Sequence, residues 1–243
     1  MIEIIQKYWL LLLIGQYPHG PLGGLAMTLI IALTVLVISM PLAIAIALAR
    51  TSGIAWLGRP LALLVSLVRG LPFLMFVFWV YFGVPALFGI SLGGTTTMIV
   101  ALTIYEAAYI SEIVRAGIEA IPKGQIEAAH ALGLRYGVRT LRIVLPQALF
   151  NMLPSLITQF ASIVKETSIG YIISAQELTF AATQANNLEI TKPAAVFGVL
   201  AAGYYILCGG IAGIAKMLER RILQQRQRAA VAEFVPVGAA VRT

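Results

Sequence analysis

The stretch EAIPKGQIEAAHALGLRYGVRTLRIVL, residues 119–145, decides how the rest of the chain can fold. It is too long for a simple turn between two helices. Its content of Ala, Glu, Leu, Gln and Arg is typical of helices, with breaks expected near Pro122, Gly124, Gly133 and Gly137. Apolar runs flank it on both sides, so the sequence predicts a structured, basic segment between two membrane-spanning helices.

The composition of the whole chain indicates a membrane protein. Of the 243 residues, 60% are hydrophobic and 11% are charged. Soluble domains are about 45–50% apolar and about 25% charged, so an ordinary cytosolic enzyme and a disordered chain are excluded. A disulfide-linked secreted domain is excluded because Cys208 is the only cysteine. The net charge of +7 does not indicate a nucleic-acid partner, because the basic residues lie between apolar runs and at the C-terminus.

Five apolar segments are each long enough to cross the membrane as a helix, which takes about 20 residues. They cover residues 22–49, 54–87, 95–118, 146–173 and 193–218. The second is interrupted by Gly70 and Pro72. We expect residues 1–21 to form an interfacial helix, residues 22–223 a membrane domain and residues 224–243 a disordered cytoplasmic tail. The predicted fold class is therefore an all-α membrane protein with five spans and one long cytoplasmic connection.

The distribution of Lys and Arg predicts the orientation. Basic residues follow the first segment, fill the 119–145 connection and recur in the C-terminal tail, whereas only Lys7 and Lys192 lie on the other side. The positive-inside rule then places the N-terminus outside and the C-terminus in the cytoplasm.

The connection carries a specific motif, Glu-Ala-Ala-x-x-x-Gly at residues 127–133, followed by Ile-x-Leu-Pro at residues 143–146. It resembles the EAA loop of importer-type ABC-transporter permeases. In that family the loop forms a short helix that docks in a groove of the ATPase subunit, where small residues allow close approach and an acid offers a charge-assisted contact. The docking residues that the resemblance implies are Glu127, Ala128, Ala129 and Gly133.

Further motifs, at residues 69–74, 108–118 and 165–168, are similar to those of the polar amino-acid permeases, and the resemblance covers residues 23–221. It implies the type I ABC importer permease fold, a bacterial inner-membrane location and an N-terminus in the periplasm. The implied partners are a second permease chain, identical or homologous, two ATPase subunits, an extracytoplasmic binding protein, membrane lipid and a polar amino acid. The chain has no phosphate-binding G-x-x-x-x-G-K-[ST] motif and no catalytic grouping, so ATP and Mg²⁺ are expected on the ATPase and no cofactor in this chain.

Polar residues inside the spans are the candidate substrate-binding residues. A charged group at the centre of a span costs ~2.5–3.5 kcal/mol and normally faces the protein interior. An amino acid needs an acceptor for its ammonium group and a donor for its carboxylate. The candidate acceptors are Glu106 and Glu166, and the candidate donors are Arg69, Lys165, Thr167 and Ser168. The alternative for each is internal pairing that fixes the helices and touches no substrate.

Other polar residues are interpreted as structural. Glu112 and Arg115 are spaced as neighbours on one helix face, which predicts an ion pair. His19 and His130 lack the partners that a metal site needs. The aromatic run at residues 73–82 is expected to pack and to face lipid.

The function that these features favour is amino-acid import by an ABC transporter. Two alternatives stay open, a stand-alone secondary transporter or channel and a membrane scaffold without transport, although no internal repeat of the transporter kind is visible. Residues 105–109 are similar to permeases of the glutamate/aspartate group and residues 176–179 to glutamine-type relatives. These stretches favour an acidic or amide substrate, whereas two acids facing one cavity would suit a basic side chain.

Overall fold

The computed structural model describes the backbone of residues 1–234 and the side chains of residues 1–224. Within this part of the chain the fold is helical, with two isolated β-bridges. Four helices are long and apolar enough to cross a membrane, and two consecutive helices meet this test only as a bent pair. With the pair counted as one span, the all-α fold with five spans predicted from the sequence is confirmed.

The spans are numbered here in chain order. Span 1 is Gly24–Thr51, span 2 is Ala55–Gly70 with Phe73–Phe88, span 3 is Gly94–Glu119, span 4 is Tyr136–Ile173 and span 5 is Pro193–Gln224. Three shorter helices are the N-terminal helix Ile2–Ile14, the connection helix Lys123–Ala131 and the linker helix Leu178–Leu188 between spans 4 and 5. Spans 2 and 4 contain π-helical turns at Trp79–Gly83 and Thr140–Val144, and span 4 ends in the 3-10 helix Thr167–Ile173.

Span 2 is broken at the Gly–Leu–Pro sequence that begins at Gly70. The ring of Pro72 disfavours helical geometry in the preceding residue, and Leu71 is accordingly extended, with φ −92° and ψ 139°. The two halves of the span meet at 104°. Such a break leaves backbone carbonyl groups without helical partners, and at membrane depth these must be satisfied by protein or face a cavity.

Span 3 lies at the centre of the molecule. Of its most apolar window 67% is buried within the chain, against 28% for span 1 and 11% for span 5. Its buried face, which includes Ala101, Leu102 and Ile110, packs mainly against Ile31 and Val35 on span 1 and against span 4. The residues on span 3 are therefore placed to form an interior site, whereas span 5 offers most of its surface to lipid or to another chain.

A second, smaller core holds the N-terminal helix in place. Ile4, Tyr8 and Leu12 of this helix pack against Leu178 and Ala182 of the linker helix. Ion pairs Lys7–Glu189 and Lys192–Glu3 close the same contact at the surface. The linker helix was absent from the sequence-based description because it is short and lies between two stronger apolar patterns.

Glu177 ties the linker helix to spans 1 and 5. Its carboxylate accepts hydrogen bonds from the backbone N–H groups of Thr179 (2.7 Å) and Phe180 (2.9 Å), which caps the helix. It also accepts one from the hydroxyl of Tyr204 on span 5 (2.9 Å). The backbone N–H of Leu178, the residue after Glu177, donates to the hydroxyl of Thr28 on span 1 (3.0 Å). The Glu177 carboxylate is fully buried, so these contacts are shielded from solvent.

Two sequence-based boundaries need correction. Span 4 begins at Tyr136, so Gly137 lies inside a helix and does not break the connection. The helix of span 5 continues to Phe234, so residues 224–234 are helical where a disordered tail was expected. The reason is composition: Gln, Arg and Ala dominate there, and these residues favour helix even without an apolar period. The rest of the expected disordered tail, residues 235–243, lies outside the described part of the chain.

Candidate functional site

A buried and a half-buried carboxyl group meet in the centre of the molecule. Glu106, on the middle of span 3, is fully buried. Glu166, half-buried at the α-helical end of span 4, is its neighbour. The side-chain amide of Gln159 on span 4 donates a hydrogen bond to Glu106 Oε2 at 2.8 Å. The structure thus brings together the two acids that the sequence nominated as acceptors.

This carboxyl pair has acceptor capacity that the protein does not use. Glu106 Oε1 and Glu166 Oε2 are buried and lack a hydrogen-bond partner among the described side chains. Buried polar oxygens are normally paired, because an unpaired one costs about 1–3 kcal/mol. Two such oxygens on neighbouring carboxyl groups can either share a proton or accept hydrogen bonds from a ligand such as an ammonium group.

The broken part of span 2 lies beside the carboxyl pair and is held by two tyrosines of span 3. The Tyr105 hydroxyl donates to the carbonyl oxygen of Leu71, and the Tyr109 hydroxyl donates to that of Arg69, both at 3.3 Å. The Tyr105 ring also packs on Phe73, with ring centroids 4.8 Å apart. The carbonyl groups released by the break are thus satisfied from span 3, by the residue before Glu106 and by one three residues after it.

The candidate donors are arranged differently from the acceptors. The guanidinium group of Arg69 lies over the Tyr109 ring at 5.1 Å and 3.7 Å from Glu112, so it belongs to another cluster. Thr167 and Ser168 donate their hydroxyl protons to backbone carbonyl groups three residues earlier on their own helix. Ser168 also lines a cleft of about 430 Å³ next to spans 2 and 5. Lys165, next to Glu166 in the chain, is exposed.

Glu112 is the hub of the second cluster. Its carboxylate binds Arg50 of span 1 at 2.7 Å and Arg115 of its own helix at 2.8 Å. Arg115 also binds Glu119 at 2.6 Å. The structural ion pair between Glu112 and Arg115 that the spacing predicted is present, and it is extended to span 1.

Gln159 and the two tyrosines were missed at the sequence level. Gln159 stands two helical turns before Glu166 on the same face of span 4, and this polar spacing is a signal that sequence analysis can use. No comparable signal identifies Tyr105 and Tyr109 as partners of the span 2 break, because the contact joins distant parts of the chain.

The connection helix presents a small, exposed surface. Glu127 and Ala128 are exposed, whereas Ala129 is buried against the rest of the chain. Leu132, one turn after Ala128, is 77% exposed. This apolar side chain extends the surface formed by the motif residues, and sequence analysis did not single it out.

Gly133 ends the connection helix through its backbone conformation. Its φ is +73°, in the left-handed region that other residues avoid, and a Cβ atom there would meet nothing within 4 Å. The N–H of Gly133 donates to the His130 carbonyl, and the N–H of Leu134 to that of Ala129. These two bonds form the glycine-dependent helix stop known as a Schellman motif. Glycine is therefore needed for the turn and not for close packing within this chain.

Comparison with known proteins identifies the family of the chain. The family described as "Binding-protein-dependent transport system inner membrane component" matches residues 39–224. The probable glutamine ABC transporter permease protein GlnP of Bacillus subtilis is 39% identical over 169 residues, which cover 68% of this chain and 77% of that protein. The arginine transport system permease protein ArtQ of the same organism is 35% identical over 207 residues, or 83% of this chain and 91% of that protein.

Solved structures give the same result for the fold. The crystal structure of an amino acid ABC transporter with histidines matches with a TM-score of 0.74 and 30% identity, over 82% of this chain and 92% of that one. The methionine ABC transporter MetNI, in an inward-facing form, matches with a TM-score of 0.65 and 24% identity, over 81% of this chain and 91% of that one, which shows the fold alone. The chain belongs to the family of binding-protein-dependent inner-membrane transport components, among the permease subunits of amino-acid ABC transporters.

Proposed function

We propose that this chain is the membrane-spanning subunit of an ATP-driven importer that carries a polar amino acid across the inner membrane. The observation that carries the proposal is the pair Glu106–Glu166 at the centre of an amino-acid permease, with one buried oxygen of each group lacking a partner within the described chain. The pair would hold the ammonium group of the substrate. A separate ATPase would drive the exposure of this site to one side of the membrane and then to the other.

The chemistry of the pair narrows the choice of substrate. A substrate with an acidic side chain would bring a further negative charge against two carboxyl groups, whereas an amide or a cationic side chain would donate hydrogen bonds to them. Of the glutamate-, aspartate- and glutamine-type substrates that the sequence motifs favour, the amide fits best. A basic amino acid fits equally well, and the printed names of the relatives include glutamine and arginine transport proteins.

The carboxylate of the substrate needs a hydrogen-bond donor, and in this conformation no free donor among the described residues faces the carboxyl pair. Arg69, Lys165, Thr167 and Ser168 remain the proposed donors. For Arg69 this role requires release from Glu112 and Tyr109, and for Thr167 and Ser168 release from their backbone partners. Those contacts would change when the spans move between inward- and outward-open states, since each one links a span to its neighbour or fixes the end of span 4.

The ATPase would dock on the connection helix. Glu127, Ala128 and Gly133 are exposed or sit at the helix stop, and Leu132 adds an apolar contact beside them. Ala129 would support the helix from the buried side. In the assembled importer this surface would lie in the cytoplasm, with the N-terminus in the periplasm, a second permease chain alongside and a binding protein outside. ATP and Mg²⁺ would be bound by the ATPase subunits.

The experiment that tests the proposal uses the chain co-purified with its ATPase in lipid nanodiscs. ATP hydrolysis is measured with a panel of binding proteins, each loaded with one amino acid. Stimulation by a glutamine- or basic amino-acid-loaded protein supports the proposal and names the substrate. No association with an ATPase would contradict it and favour the alternative, a stand-alone secondary transporter or channel.

A further inference from the structure

A second polar cleft lies away from the carboxyl pair, where span 1 ends and span 2 begins. It holds about 340 Å³. Arg50, Arg59 and Arg115 line it, together with small residues such as Gly53 and Gly58. Among the described residues that line the cleft, none is acidic.

The charges around this cleft do not cancel. Arg50 and Arg115 share the carboxylate of Glu112, and Arg115 also binds Glu119. Arg59 makes no ion pair with any side chain of residues 1–224. Glu112 is also shared with Arg69 at 3.7 Å, so the guanidinium groups outnumber the two carboxylates. Of the five N–H donors on each guanidinium group, Arg50 uses one and Arg115 two on these carboxylates, and Arg59 uses none on the described residues. The cleft therefore matches an anionic ligand with several acceptor oxygens.

The surroundings of the cleft place that ligand at a membrane surface. Trp56, next to the cleft wall, is 79% exposed, and tryptophan is enriched where membrane meets water. Leu63 and Leu67 follow Arg59 at one-turn intervals on the same helix face and are 63% and 61% exposed. An apolar track thus leads directly away from the unpaired guanidinium group of Arg59.

We propose that this cleft binds the phosphodiester headgroup of an anionic phospholipid. Arg59 contacts the phosphate, Arg50 and Arg115 complete the basic wall, and one acyl chain lies along Leu63 and Leu67. A basic pocket between helices at the cytoplasmic membrane surface is the kind of site that recognises anionic headgroups. Arginine suits it because its planar fork can donate two hydrogen bonds to one phosphate.

The test is native mass spectrometry of the delipidated full-length chain with added phosphatidylglycerol. Arg59→Gln removes the unpaired charge without breaking an ion pair, and Arg220→Gln removes one exposed charge from span 5 as the matched control. Phosphatidylglycerol is expected to bind about fivefold more weakly to R59Q and unchanged to R220Q. Phosphatidylcholine is expected to bind weakly to all three proteins, and thermal unfolding of R59Q is expected to match that of the parent chain.

Two arms of the experiment separate a lipid from a soluble anion. Inorganic phosphate and glycerophosphoglycerol, which lack acyl chains, are added as competitors at the concentration of the lipid. If the site is a lipid site, neither displaces phosphatidylglycerol. Displacement by either would show a site for free anions and overturn the lipid proposal. Equal binding of phosphatidylglycerol to R59Q and the parent chain, or an equal loss in R220Q, would overturn it as well.

Discussion

At the scale of single residues, the buried Glu106 on span 3 defines the candidate substrate site. A buried carboxyl group in a membrane span is costly unless it is paired, hydrogen-bonded or used. Glu106 receives one hydrogen bond, from Gln159, and faces a second acid instead of a base. Two facing carboxyl groups either share a proton or hold a cation between them, and the second possibility is the reason for assigning the pair to substrate binding.

Replacing Glu106 by Gln should weaken substrate binding while the complex still assembles. The amide keeps the shape and can still accept the hydrogen bond from Gln159, but it cannot pair with an ammonium group. Hydrogen bonds to charged groups are worth about 1.5–3 kcal/mol, so the KM for uptake should rise about 10- to 100-fold. Uptake in proteoliposomes measures this, with Glu219→Gln on the exposed face of span 5 as control. A KM for uptake by E106Q equal to that of the parent chain would show that Glu106 is structural and does not bind substrate.

Replacing Tyr109 by Phe should destabilise the break in span 2. The hydroxyl of Tyr109 satisfies the Arg69 carbonyl, and its loss leaves that oxygen without this partner, at a cost of about 1 kcal/mol. The unfolding midpoint of the detergent-purified protein should fall by a few degrees. Tyr205→Phe is the matched control, because Tyr205 is 81% exposed. An equal effect of both substitutions would show that the hydrogen bond does not support the break.

At the scale of elements, the short helices are held by their ends. The connection helix depends on the left-handed glycine that follows it, and the linker helix depends on the buried Glu177 cap. The sequence predicted the connection helix because a motif marks it, and it predicted the break in span 2 from Gly70 and Pro72. It did not predict the linker helix, whose cap and packing partners come from residues far away in the chain.

Gly133→Ala should weaken ATPase docking more than Gly137→Ala. Alanine in the left-handed region costs about 1–2 kcal/mol, so the helix stop would be distorted and the surface with Glu127 and Leu132 displaced. Gly137 lies within helix in open space, where alanine should be neutral or slightly stabilising. Affinity for the purified ATPase measures the difference. Equal affinities of the two variants would mean that the turn at Gly133 does not position the docking surface.

Glu177→Ala should loosen the contact between the linker helix and spans 1 and 5. It removes the cap of the linker helix and the partner of Tyr204, and losing a cap alone costs about 0.5–2 kcal/mol. Hydrogen exchange of residues 178–188 should increase, while exchange at the connection helix stays unchanged. Hydrogen exchange of residues 178–188 that is the same in the variant and the parent chain would show that apolar packing alone holds this helix.

At the scale of the whole molecule, the differences in burial between the spans indicate different roles for them. Span 3 is central and carries Glu106, the two tyrosines and Glu112, so a movement of this helix would be felt at the carboxyl pair, the span 2 break and the arginine cluster together. The connection helix directly follows span 3 in the chain. A force applied by an ATPase at that helix would therefore reach the candidate substrate site through one short turn and span 3.

Sequence analysis predicted the number of spans, the broken second span and the acids of the candidate site. Each of these follows from local composition or from the cost of burying charge. It placed Arg69 among the donors for substrate, whereas in the structure this residue lies between Tyr109 and Glu112. The partners of a charged side chain are set by helix packing, which local patterns do not encode. The same reason explains why the contacts of Tyr105 and Gln159 were missed.

The most direct test of the central claim is amino-acid uptake into proteoliposomes that contain this chain, its ATPase and a loaded binding protein. The energy source is varied while everything else is kept constant. Uptake is predicted to require Mg²⁺-ATP on the side of the membrane that carries the connection helix. It is predicted to persist without a proton or sodium gradient and to be lost in E106Q at low substrate concentration. Uptake that follows an ion gradient and ignores ATP would contradict the account and identify a secondary transporter.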